Sequence, residues 1–185
     1  PTWNWLKMNE SHVAYDKTPV WFSASVEISG DGMVHTKEKV DGWDRIVSGV
    51  GRDLDKLGEL AGGEADVLET VGQTEETYAV LTYDYPGGDY ASCLYLRARE
   101  NSTLNVTMVL TGGKDQKGSA SVQVKAYAEK NAHIKIFAVQ LLGQEFTCFH
   151  DFGGICEEKA GIELVRLFRG KGIDSVMMML TARDE

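Results

Sequence analysis

The chain has 185 residues, 43% of them apolar and 25% charged, with a formal net charge of −9. That length buries the core of one domain or two small ones, and no apolar run nears the roughly 18 residues of a membrane-spanning helix. An acidic surplus without clustered Lys and Arg excludes nucleic-acid backbones and anionic membranes as partners.

The excess charge lies in one half. Residues 1–90 carry 17 acidic and 7 basic side chains, residues 91–185 carry 11 and 12. The acidic half reads as a solubilising face, with a docking surface for a basic partner as the alternative. The N-terminus lacks the basic-then-apolar pattern of a secretory signal. Three cysteines, Cys93, Cys148 and Cys156, are too few and odd in number for a disulfide framework. A cytoplasmic location is expected.

In chain order, Trp3, Trp5, Trp21 and Trp43 all fall in the first 43 residues and are expected to pack a small N-terminal layer. From Asp41, an N-cap type, residues 42–57 place Trp43, Ile46, Val47, Val50, Leu54 and Leu57 at spacings of three and four, which predicts an amphipathic helix. Gly49 and Gly51 weaken it by about 1 kcal/mol each relative to Ala. Gly62-Gly63 ends it, and Glu64 to Val71 form a further helical turn or a first strand. A boundary near residue 72 then divides a helical or mixed region, 1–72, from a β-rich region, 73–185. The latter opens with a strand at Thr77 to Tyr83, turns at Pro86-Gly-Gly-Asp89 and resumes at Cys93 to Arg97, where Cys93 reads as core.

Three later segments repeat one pattern: Ala98 to Val106, Ala128 to Ile136 and Glu158 to Leu164. Setting Ser102, Ala132 and Ala160 in register gives spacings of 30 and 28 residues, the signature of a stacked repeat. Each unit reads as charged turn residues, one small residue, then apolar/polar alternation, hence a turn and a strand. Between them lie Ser121 to Ala126, Glu145 to His150 and Ile173 to Leu180, a second set of strands. Two strands per repeat leave no room for a crossover helix of a dozen residues. The fold class expected is therefore mainly β: a right-handed parallel β-helix of three to four coils, preceded by a small α-containing N-terminal region. Its inward ladder is Leu104, Val106, Met108 and Leu110, then Ile134 and Ile136, then Ile162 and Leu164; Asn105, Thr107 and Lys135 face outward.

The stretch Lys125 to Leu142, with Arg99 to Val106 and Glu157 to Val165, resembles the β-helix core of the SufB/SufD family, the scaffold proteins of SUF iron–sulfur cluster assembly. The opening Thr2-Trp-Asn-Trp-Leu-Lys-Met-Asn-Glu10 is similar to the start of SufD-type members. Residues 77–180 follow the family pattern and 11–76 only loosely. The resemblance implies a scaffold rather than an enzyme, with SufB-like and SufC-like proteins as partners and the cluster handled transiently by the full complex, so that this chain alone binds no cofactor. The family's cysteine and histidine of cluster chemistry lie in later coils, so no such residue transfers to a position here. The chain reads as an N-terminal half or truncated member, which leaves a bare apolar rung at Val176, Met178 and Leu180 and implies self-association through the C-terminal coil.

The remaining chemistry is sparse. Cys148, His150 and Cys156 are the candidate metal ligands, soft and nitrogen donors within nine residues. Their spacing fits no structural zinc pattern. Cys148 and His150 share one strand face, while Cys156 lies beyond Gly153-Gly154, which is read as a turn that takes it to another side of the coil. They are thus expected to be a small buried thiol and a surface or rung imidazole. His12, His35 and His133 stand isolated, and Gly112-Gly113-Lys114 lacks the spacing of a phosphate loop. The alternative function is a carbohydrate-active enzyme or binding module on a parallel β-helix. Such enzymes group carboxylates on adjacent rungs, and the outward positions Asn105, Lys135 and Glu163 form a mixed column without paired acids.

Overall fold

A strand that ends in a left-handed corner and resumes about 30 residues later in the same register builds a solenoid. The computed structural model describes residues 20–39, 63–72, 76–113, 115–168 and 175–180. They contain twelve strands: β1 (Val20–Trp21), β2 (Ser25–Ser29), β3 (Met33–Lys39), β4 (Glu64–Thr70), β5 (Thr77–Tyr85), β6 (Gly88–Ala98), β7 (Thr103–Gly112), β8 (Gly118–Ala128), β9 (His133–Leu141), β10 (Phe146–Cys156), β11 (Gly161–Phe168) and β12 (Ser175–Leu180). The chain is mainly β and winds a β-helix of about three turns.

From β4 to β11, successive strands alternate between two sheets. Sheet one runs β10-β8-β6-β4-β3, with β1 also on β6, and sheet two runs β12-β11-β9-β7-β5-β2. Within the coils every pairing is parallel, for instance β6 with β8 and β7 with β9. At the N-terminal side polarity reverses, as β3 pairs antiparallel with β4 and β2 with β5.

Sheet two shows the alternation that the sequence predicts. Leu104, Val106, Met108, Leu110, Ile134, Ile136, Ile162 and Leu164 are all buried, and Lys135 is exposed. Ile134 stands in register with Leu104 on one side and Ile162 on the other, so each rung covers its neighbours' apolar surface.

The middle of sheet one, β4, β6 and β8, is largely buried on both faces. Inward lie Leu94, Leu96, Val122 and Val124; outward, Ala65, Val67, Cys93 and Tyr95 form a second cluster packed with Trp21 and Tyr127. Cys93 is core as expected, but it belongs to this outer cluster. The Trp21 ring occupies the space where Gly63 lacks a side chain, since a Cβ there would stand 2.0 Å from it. Its indole N–H donates to the Glu64 carbonyl at 2.9 Å.

The corners from sheet one to sheet two are built alike. Asn101, Asn131 and Lys159 adopt left-handed backbone, with φ of 59°, 56° and 58°. Each corner closes on itself, with Ser102, Ala132 and Ala160 N–H groups donating to the carbonyls of Arg99, Glu129 and Glu157. Corners also bond to one another: Asn101 N–H donates to the Lys130 carbonyl and Asn131 N–H to that of Glu158.

Several expectations change. No helix occurs among the described residues, and the N-terminal residues described are strands, so the α-containing N-terminal region is not supported. The helix predicted over 42–57, with Trp43, lies outside the described residues, as do Trp3, Trp5 and His12. Glu64 to Thr70 form a strand, which joins β6 of the coil in parallel although it precedes residue 72. Gly153-Gly154 is no turn, because both lie inside β10. The strand near the C-terminus does not begin another parallel rung: β12 folds back antiparallel on β11. Val176, Met178 and Leu180 accordingly pair with Leu167, Val165 and Glu163, so the further parallel rung expected of them is not formed.

Candidate functional site

Chemistry-bearing side chains gather at three places. The first is the inner face of β10. Phe146, Cys148, His150, Phe152 and Cys156 alternate along that strand toward the interior. Cys148 Sγ lies 3.0 Å from His150 Nε2, and the His150 ring stacks on Phe152 at 5.5 Å between centroids. Cys148, His150 and Cys156 are half-buried, whereas the residues beside them on β8, Ala120, Val122 and Ala128, are fully buried. The difference follows from position. β10 is the last strand of sheet one among the described residues, so its inward side chains form the open end of the core.

Cys156 shares this strand and this face, contrary to the expected turn between it and Cys148. The eight residue steps from Cys148 to Cys156 span about 26 Å of extended chain. Cys148 and His150 are therefore brought together and Cys156 is not. Among the described residues no three His, Cys, Asp or Glu groups converge to hold a metal ion.

The second place is the buried aromatic end of β5. Tyr85 stacks on Phe146 at 5.3 Å and on Tyr90 at 5.5 Å, and Phe22 packs at 4.9 Å. The Tyr83 and Tyr85 hydroxyls are buried without a hydrogen-bond partner. Burial raises both phenols above their ordinary range, so they remain O–H groups. Sequence gave no hint of this cluster beyond two aromatics at inward parity.

The third place is the charged corner. Glu129 accepts hydrogen bonds from Arg97 Nε at 3.0 Å, Arg97 Nη2 at 2.6 Å, Arg99 Nη1 at 3.2 Å and the Glu100 amide at 3.1 Å. Desolvation works against its charge, but the Arg97 hydrogen bond, the Glu100 amide and both guanidinium charges outweigh it and hold the carboxyl below its ordinary value. Arg99 also pairs with Glu69, and Arg97 lies over the Tyr127 ring at 5.5 Å. This network clips adjacent coils together, and it offers no nucleophile.

The isolated histidines resolve differently. His35 Nε2 bonds the buried Asp66 carboxylate at 2.9 Å, from 31 residues away, and Asp66 also accepts from the Ala24 amide at 3.3 Å. Together they fasten β3 and the segment before β2 to β4. A partner so distant in sequence left no local signal. His133 is exposed. On the outward face of sheet two, Tyr78, Asn105, Lys135 and Glu163 form one row, mixed in charge as the sequence implied. Gly112 ends β7.

No helix among the described residues is long and apolar enough to cross a membrane. Compared with protein-family models, with curated proteins and with solved structures, the chain matches none.

Proposed function

We propose that this chain is a SufD-like scaffold subunit of SUF iron–sulfur cluster assembly, not an enzyme, which pairs in the cytoplasm with a SufB-like subunit and works with a SufC-type ATPase. The observation that carries the reading is the register of the resembling segments. Arg99 to Val106, Lys125 to Leu142 and Glu157 to Val165, singled out in sequence for that resemblance, stack as consecutive rungs and corners of one β-helix. In this reading the cluster is cargo of the whole complex, and this chain supplies a rigid surface.

Two further features support a scaffold. The row Asn105, Lys135, Glu163 groups no pair of carboxylates such as glycoside cleavage needs. β10 has β8 as its one neighbour among the described residues, and an unpaired strand edge accepts another strand. That edge suits a second β-helix, and without its partner it would take a second copy of this chain.

Co-expression of the tagged chain with a SufB-like and a SufC-type protein tests the proposal. A complex that holds together through gel filtration is the expected result. Failure of the proteins to associate, together with retention of the chain on a polysaccharide matrix, would instead favour the carbohydrate-directed alternative.

A further inference from the structure

We propose that Cys148 is an activated thiol, with His150 as its base, and that it takes small disulfides by thiol–disulfide exchange. This site is independent of the scaffold reading.

Two observations converge. Cys148 Sγ and His150 Nε2 are 3.0 Å apart, the reach of a nucleophile and its base. The His150 ring is held flat on Phe152, with an interplanar angle of 15°, which fixes the imidazole where the thiol can use it.

The chemistry balances as follows. His150 takes the Cys148 proton, and the thiolate attacks one sulfur of a disulfide RSSR. A Cys148–SR bond forms, the S–S bond breaks, and the leaving RS⁻ takes the proton from His150 to depart as RSH. The disulfide is the oxidant. The half-buried position at the open end of the core limits the reagent to a small one, of the size of glutathione disulfide.

Cys156 provides an internal control. It lies on the same strand and the same face and is also half-buried, yet the residue two places after it is Glu158 and no histidine. Cys93 is buried, with its thiol donating to Gln123 Oε1 at 3.3 Å, and reports on the fold. The folded chain is treated with dithiobis(nitrobenzoate), and separately with glutathione disulfide, and each cysteine is followed by peptide mass spectrometry. Cys148 is expected to be modified about tenfold or more faster than Cys156, with Cys93 protected. His150→Gln should bring Cys148 down to the rate of Cys156. Equal rates at Cys148 and Cys156 in the unaltered chain overturn the proposal, as does an unchanged Cys148 rate in His150→Gln with Cys93 still protected. If His150→Gln exposes Cys93, His150→Phe keeps the stack on Phe152, and the same comparison is made there. Should that variant also expose Cys93, the rate ratio in the unaltered chain decides alone.

Discussion

The side-chain amide of Asn131 donates to that of Asn101, one coil away, at 3.0 Å, and both residues hold left-handed backbone. Asparagine tolerates that conformation because its short polar side chain bonds locally, whereas most side chains meet a penalty there. The third corner breaks the series with Lys159, at the same φ. Lys159→Asn should relieve that penalty and extend the ladder, raising stability by up to about 1 kcal/mol. Urea unfolding of the variant checks this, and a loss of stability would show that Lys159 makes a contact of greater value.

The inward ladder sets a sharp contrast within three consecutive residues. Ile134 and Ile136 are buried between neighbouring rungs, while Lys135 between them is exposed. Each Ile→Ala change should destabilise by about 2–5 kcal/mol, and Lys135→Ala by under about 0.5. Equal sensitivity at 134 and 135 would contradict the register.

Glu129 gives the fold an acid-sensitive clip. Its carboxyl is held below the ordinary value of 4.5 in the folded chain. A lowered folded value means that the unfolded chain takes up the proton first as pH falls. The contribution is therefore complete above the unfolded value and fades as pH drops through the folded one. Glu129→Gln should lower stability at neutral pH and flatten the loss below about pH 4.5. Thermal melts of both forms across that range measure it.

Metal binding follows from strand geometry. With Cys156 about 26 Å along β10 from Cys148, zinc added to the folded chain has two convergent ligands, Cys148 and His150, where a structural site takes four. Stoichiometric binding is not expected. Tight uptake by the isolated chain, abolished in Cys148→Ser, would disprove this.

The sequence made sheet two legible because it has one wet face, so its strands alternate and its corners carry charged residues and asparagine. Sheet one was harder to read for the opposite reason. Ser92 to Leu96 are buried on both faces, which erases the alternation, and the sequence placed this strand five residues short at its start. Gly153-Gly154 misled for a physical reason as well. A Cβ at Gly154 would stand 2.6 Å from Ile162 Cδ1 and 2.8 Å from the Ala126 carbonyl, so glycine is there for close approach inside a strand. Of the candidate site, the shared face of Cys148 and His150 was readable from their spacing of two. The contact of Tyr85 with Phe146, Tyr90 and Phe22 was not, because only the winding of the coil brings those rings together.

The reversed strands β2 and β3 have a consequence for how copies of this molecule can meet. A parallel solenoid whose first rung were bare would present the same lattice as its last, and copies could add head to tail without limit, the geometry of a filament. Here the bottom of each sheet runs the wrong way, and the parallel ladder ends at β4 and β5. A copy arriving at that end meets a lattice out of phase with its own. Under the scaffold reading proposed above, a contact would form at the opposite end, along the β10 edge, and would close a pair instead of starting a fibre.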